Sequence, residues 1–142
     1  MKVVLVTGGF DPLHSGHIEY FKSARKLGDK LVVGLNSDEW LTRKKGRPFM
    51  PIQERIAIIS ALSVVDDILT WDDSDNTACG AIFKLMSTTG YGKKIVFANG
   101  GDRKNYEIPE STVCKENNIE IIDGLGEKIR SSSDLTGLKE IK

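Results

Sequence analysis

Four aliphatic residues in a row, Val3-Val4-Leu5-Val6, stand directly before Thr7-Gly8-Gly9-Phe10-Asp11-Pro12-Leu13-His14-Ser15-Gly16-His17. An unbroken apolar run of this kind marks a strand buried on both faces, the type found in parallel sheets. Two glycines then allow a tight turn and a close approach of backbone to a ligand. Two histidines follow, three residues apart, where the next helix begins, and residues so spaced on a first turn share a face. A helix N-terminus presents unpaired N–H donors at the positive end of its dipole and suits an anion. The segment reads as a phosphate site at the end of the first strand, and it contains both histidines of the chain.

The rest of the chain alternates strand and helix signals. Ile18–Leu27 carries apolar residues at helical spacing, with Gly28 placed as a C-terminal cap. Leu31–Leu35 is a second apolar strand, and Asn36-Ser37-Asp38 can cap a short helix to about Leu41. Thr42–Met50, with Arg43, Lys44, Lys45 and Arg47 around Gly46 and Pro48, reads as a basic, mobile loop. Pro51 suits the first position of a helix whose Ile52, Ile56, Ile59 and Leu62 form one apolar stripe. Val64–Thr70 contains a third strand. Asp72–Asn76 forms a turn whose acids favour the start of a helix over Ala78–Met86. Lys94–Ala98 is a fourth strand, a helix starting at Pro109 runs to about Asn117, and Ile119–Ile122 is a fifth strand. A last short helix begins at Ser131.

This order predicts an α/β fold with a doubly wound, mainly parallel, five-stranded Rossmann-like sheet and helices on both faces. In such sheets ligands bind beyond the carboxyl ends of the strands, at the topological switch. The candidate motifs follow strands one, two, four and five, so the connectivity brings them to one edge. A chain of 142 residues is one domain, 1–142, able to bury a core. Its 20 Lys and Arg balance 20 Asp and Glu, which speaks against a general nucleic-acid or membrane-surface binder and makes any attraction for phosphate local. Cys79 and Cys114 lack metal-ligand spacing and read as reduced thiols of a cytoplasmic protein. No run approaches membrane-spanning length.

Gly8–His17, with His14-Ser15-Gly16-His17 at its end, resembles the signature of the small nucleotidyltransferases that carry an HxGH motif. The chain is most similar to two branches, the heptose 1-phosphate adenylyltransferases and the glycerol-3-phosphate and phosphoethanolamine cytidylyltransferases. The similarity continues through Ala24–Asp38, Gly46-Arg47-Pro48, Gln53-Glu54-Arg55, Val65-Asp66, Gly100-Gly101-Asp102 and Arg130-Ser131-Ser132-Ser133. It implies transfer of a nucleoside monophosphate from ATP or CTP, with ATP narrowly first, to a small phosphorylated sugar or alcohol, with pyrophosphate leaving. Mg²⁺ is implied as cofactor, held mainly by the triphosphate because no carboxylate cage is visible, and a homodimer is implied too. A non-catalytic nucleotide-binding module on the same fold is the rival reading.

The reaction needs positioning and neutralisation of charge, not a protein nucleophile. His14 and His17 are the candidate donors to the triphosphate, Gly9 and Phe10 offer backbone N–H groups, and Gly16 keeps the helix start free of side chains. Thr7 can hydrogen-bond nearby or simply close a buried strand, and Asp11 reads as a turn or cap residue. The Lys45-Gly46 pair matches a lysine that the family places on the phosphates. Arg55 can fold toward phosphate or bridge to a surface acid, and the match at Glu54-Arg55 favours the phosphate. Gly101 and Asp102 are candidates for ribose or base. Arg130, Ser131, Ser132 and Ser133 are candidates for the β- and γ-phosphates, with helix capping compatible at the serines.

Overall fold

The computed structural model describes residues 2–88, 94–100 and 109–125. Within them the order is β1 (Lys2–Gly8), α1 (Ser15–Arg25), β2 (Lys30–Leu35), α2 (Asp38–Lys45), α3 (Ile52–Ser60), β3 (Asp67–Thr70), α4 (Cys79–Ser87), β4 (Lys94–Gly100), α5 (Pro109–Glu116) and β5 (Glu120–Leu125). The strands form one sheet in the order β3-β2-β1-β4-β5. Every neighbouring pair is parallel. The expected doubly wound, five-stranded sheet is therefore present. The helix expected from Ser131 onward lies outside the described residues.

Alternation along β1 divides the core. Val3 and Leu5 face Val32, Leu69, Ile95 and Phe97 of the sheet and Ala81, Ile82, Leu85 and Cys114 of α4 and α5. Val4 and Val6 face the opposite layer, with Phe21 and Ala24 of α1 and Ile59 of α3. The three valines and one leucine of this run are fully buried, which is why it carries no polar residue. Sequence order reverses across the sheet between β1 and β4, so the switch point lies beside the end of β1.

Among the boundaries that differ from the sequence reading, three have a clear physical reason. Helix α1 begins at Ser15 because His14 is its N-cap, in extended conformation, so the helix starts three residues earlier than apolar spacing indicates. It ends at Arg25 with Lys26 as its C-cap, not at Leu27 with Gly28 as the cap. Gly28 serves another need: a Cβ there would stand 2.7 Å from the Lys2 carbonyl oxygen, where the turn into β2 presses on the start of β1. Helix α2 runs on to Lys45 and stops at Gly46, whose φ of 93° suits glycine. Thr42–Lys45 is thus helical, and the segment expected as a basic loop, Thr42–Met50, shrinks to residues 46–50.

Gly28→Ala forces that contact apart. The expected loss is about 1–3 kcal/mol, as for other overpacked sites. It should register as a lower urea midpoint with an unchanged m-value.

Candidate functional site

The carboxyl end of β1 passes into a loop whose geometry is set from three sides. Phe10 adopts φ 51°, a left-handed conformation that costs a bulky residue about 1–3 kcal/mol and persists only where surroundings impose it. Its ring is buried and meets Phe21 edge-on at 5.0 Å and His17 edge-on at 5.1 Å. The ring therefore ties the loop to α1 and braces one histidine.

The histidines form a reciprocal cap. The Gly16 N–H donates to His14 Nδ1 at 3.1 Å, and the His14 N–H donates to His17 Nδ1 at 3.2 Å. The rings stack with centroids 3.8 Å apart. Because each Nδ1 is an acceptor, each neutral imidazole carries its proton on Nε2. Two Nε2–H donors from one helix start are what charge on a phosphoryl oxygen requires. Burial first, and the neighbouring His14 second, lower the His17 pKa from 6.5 to about 3, so His17 is a neutral donor at pH 7.

Lys45 comes to this loop from the last turn of α2. Its Nζ lies 3.1 Å from Asp11 Oδ2, and the two side chains are 6% and 1% exposed. It also donates to the Asp11 carbonyl. Asp11 accepts from the Phe49 N–H at 2.6 Å and from the Met50 N–H. The expected turn role of Asp11 is thus only part of its work: one carboxylate joins the loop after β1, the end of α2 and the approach to α3. The other basic residues of α2 are also engaged, Lys44 over the Trp40 ring at 4.8 Å and Arg43 with Asn76 and the Asp73 carbonyl.

Arg55 departs from its expected place on a phosphate. It is fully buried. Its Nε donates to the Met50 carbonyl at 3.0 Å, Nη1 to the Gly9 and Asn36 carbonyls at 2.9 and 2.7 Å, and Nη2 to Asp38 Oδ1 at 2.7 Å. The reason is topological. Carbonyls just beyond β1 and β2, and just before α3, have left the sheet and need donors, and a planar guanidinium supplies several at fixed angles. Arg55 holds the loops that carry the site. No local pattern announces this, since its partners lie 5 to 46 residues away.

Gly9, Phe10, Gly16, His14, His17, Lys45 and Arg55 are therefore brought to one end of the sheet. Gly101, Asp102, Arg130, Ser131, Ser132 and Ser133 lie outside the described residues. Among the described residues no group of three or more His, Cys, Asp or Glu could hold a metal ion. The loop offers N–H and ammonium donors, and its one carboxylate, Asp11, is already occupied, so it does not fit a hard cation that needs several oxygens.

Comparison with known proteins agrees with this geometry. The cytidylyltransferase-like family model matches residues 5–122. The chain belongs to the cytidylyltransferase-like family. Bifunctional protein HldE of Haemophilus influenzae is 40% identical over 124 residues, covering 78% of this chain and 26% of that protein. The HldE of Erwinia tasmaniensis is 39% identical over 140 residues, covering 88% and 28%. The chain thus spans about a quarter of the length of these relatives. A lipopolysaccharide core biosynthesis protein of Thermoplasma volcanium shares 30% identity, with TM-score 0.67 over 89% of this chain and 98% of that one. A putative nicotinate-nucleotide adenylyltransferase of Vibrio parahaemolyticus shares the fold at 16% identity and TM-score 0.67, over 96% and 84%. The family expected from the HxGH signature is borne out. Among the described residues no helix is long and apolar enough to cross a membrane.

Two outcomes follow from the site as built. Arg55→Lys retains charge but not the fork, and leaves buried carbonyls without donors at about 1–3 kcal/mol each. A clear drop in the urea midpoint is expected, whereas a residue that only bound phosphate would leave stability unchanged. His17 stays neutral in the folded protein down to about pH 3, while in the unfolded chain it takes up a proton below about 6.5. Its contribution is therefore complete above pH 6.5 and lost progressively between 6.5 and 3. His17→Gln should show a shallower fall in stability over that window in parallel urea titrations.

Proposed function

We propose that this chain transfers the nucleoside monophosphate of ATP to the phosphate of a small phosphorylated sugar, releasing pyrophosphate. The observation that carries the reading is the reciprocal histidine cap, which fixes two Nε2–H donors beside the switch point of the sheet. A phosphate oxygen of the acceptor attacks the α-phosphorus. The new P–O bond forms as the bond to the β-phosphate breaks, and the electron pair leaves with pyrophosphate. His14, His17 and Lys45 would meet the negative charge that gathers on the leaving group, and Gly9 and Phe10 would offer backbone N–H groups. Lys45 would exchange part of its bond to Asp11 for the incoming phosphates.

The heptose 1-phosphate branch of the resemblance puts a sugar phosphate ahead of an alcohol phosphate and ATP ahead of CTP. Gly101 and Asp102 are proposed for the ribose or base, and Arg130, Ser131, Ser132 and Ser133 for the outer phosphates. Mg²⁺ would come bound to the triphosphate and add positive charge there; the described residues do not supply its ligands. A cytoplasmic homodimer without nucleic-acid or membrane partners completes the proposal.

Four triphosphates with Mg²⁺, each set against a panel of phosphorylated sugars and alcohols, should release pyrophosphate in one preferred pairing. His14→Ala or His17→Ala should lower kcat in that pairing about 10²–10³-fold with a smaller effect on nucleotide binding. A folded variant with wild-type turnover would remove the histidines from the mechanism. Absence of pyrophosphate release from every pairing would remove the activity.

A further inference from the structure

Asp73 lies in the turn between β3 and α4, far in sequence from the phosphate loop. Its neighbours there, Asp72 and Asp75, cap their own turn: Asp72 accepts from the Ser74 N–H and Asp75 from the Thr77 N–H and hydroxyl. Asp73 does something different. It is 3% exposed, and its carboxylate turns away from α4 to the junction of β2 and α2. Oδ2 accepts from the Asn36 side-chain amide at 3.1 Å and from the Ser37 N–H at 2.7 Å, and Oδ1 accepts from the Ser37 hydroxyl at 2.6 Å. Ser37 is the N-cap of α2, its hydroxyl oxygen accepting from the Trp40 N–H. The same residue also reaches the other end of that helix, where the Asp73 carbonyl accepts from Arg43 Nη2 at 2.8 Å. Arg43 Nε donates to Asn76, which holds a left-handed φ of 63° in the same turn.

An eight-residue helix is too short to persist without outside contacts. Here one aspartate grips it at its cap and again two residues before Lys45. The grip extends to the phosphate loop as well. Asn36, held by Asp73, donates its N–H to the Gly8 carbonyl at 2.9 Å and gives its own carbonyl to Arg55, which also holds Gly9. We infer that Asp73 is a positioning residue for the transfer reaction: it fixes α2 relative to the end of β1, and so sets where the Lys45 ammonium stands. Its kinetic consequence rests on the proposed nucleotidyl transfer, while its effect on α2 does not.

Asp73→Ala, Asp73→Asn and the control Asp72→Asn are compared with wild type by hydrogen exchange and by pyrophosphate release with ATP, Mg²⁺ and the acceptor preferred in the panel. Asn keeps the size of the side chain and one oxygen for the Asn36 and Ser37 N–H groups, but it removes the charge and sets a donor in place of the acceptor opposite the Ser37 hydroxyl, so its rescue should be partial at most. In both Asp73 variants, amides of 38–45 should lose protection while β1 and β2 keep theirs. A displacement near 1 Å at a reacting group costs up to about 10²-fold, so kcat/KM should fall about 10- to 100-fold, with Asp72→Asn unchanged. The deciding measurement is the cycle with Lys45→Ala. If Asp73 acts through Lys45, Asp73→Ala lowers activity less than about twofold further in that background. Independent, multiplying losses would overturn the inference. So would unchanged protection of 38–45, or loss of protection spread equally over the whole sheet. Lack of turnover by wild type with every pairing would sink the transfer reaction, and hydrogen exchange alone would then decide whether Asp73 fixes α2.

Discussion

A single buried guanidinium makes the working edge of this sheet possible. Where β1 and β2 end, the chain must leave the ladder, and each departing carbonyl needs a new donor in a place water does not reach. Arg55 meets Gly9, Asn36 and Met50 at once and balances its charge against Asp38 at the start of α2. A lysine offers a compact charge without the planar fork, and an apolar side chain offers nothing, so neither can close three loops together. The ion pair is less a source of net stability than a means of fixing one arrangement of loops.

Around that centre the polar groups form two linked layers. One contains the groups proposed to face the reaction: the stacked histidines, with Nδ1 committed to backbone amides, and Lys45 in contact with Asp11. The other holds them in register: Phe10 braced between His17 and Phe21, Arg55 between three loops, and Asp73 across the start and end of α2. Fixed donors of this kind need little reorganisation when charge moves, which is the main way a protein without a nucleophile speeds group transfer.

How much of this the sequence disclosed depended on the range of each interaction. Strand β1, the glycine turn and the histidine pair are local and legible, since buried strands need unbroken apolar runs and caps act within three residues. The parallel order followed from alternation of elements. Arg55 was visible as a residue but not in its role, because the carbonyls it serves are adjacent only after the sheet has formed. Asp73 was hidden among acids that do cap their own turn, and nothing in Asp72–Asn76 distinguishes it. Lys45 was placed on a loop because Arg43, Lys44 and Lys45 carry no apolar residue to mark a helix face; basic residues at a helix C-terminus complement the dipole and extend α2 by a turn.

The position of β1 in the sheet has a consequence for how the molecule is made. It is the first strand of the described chain, yet it lies in the middle, with β2 on one side and β4 on the other. Lys2 pairs with Lys94, so one flank of the site strand stays open until β4 has emerged from the ribosome. Long-range parallel pairing of this sort is slow, because the loop must close before the contact rewards it. Until then Val3–Val6 is an apolar strand with an unpaired edge, the kind of segment that nascent chains must shield from one another. The central placement that puts the histidines at the switch point thus leaves β1 secured on both flanks only after three later described strands have been made.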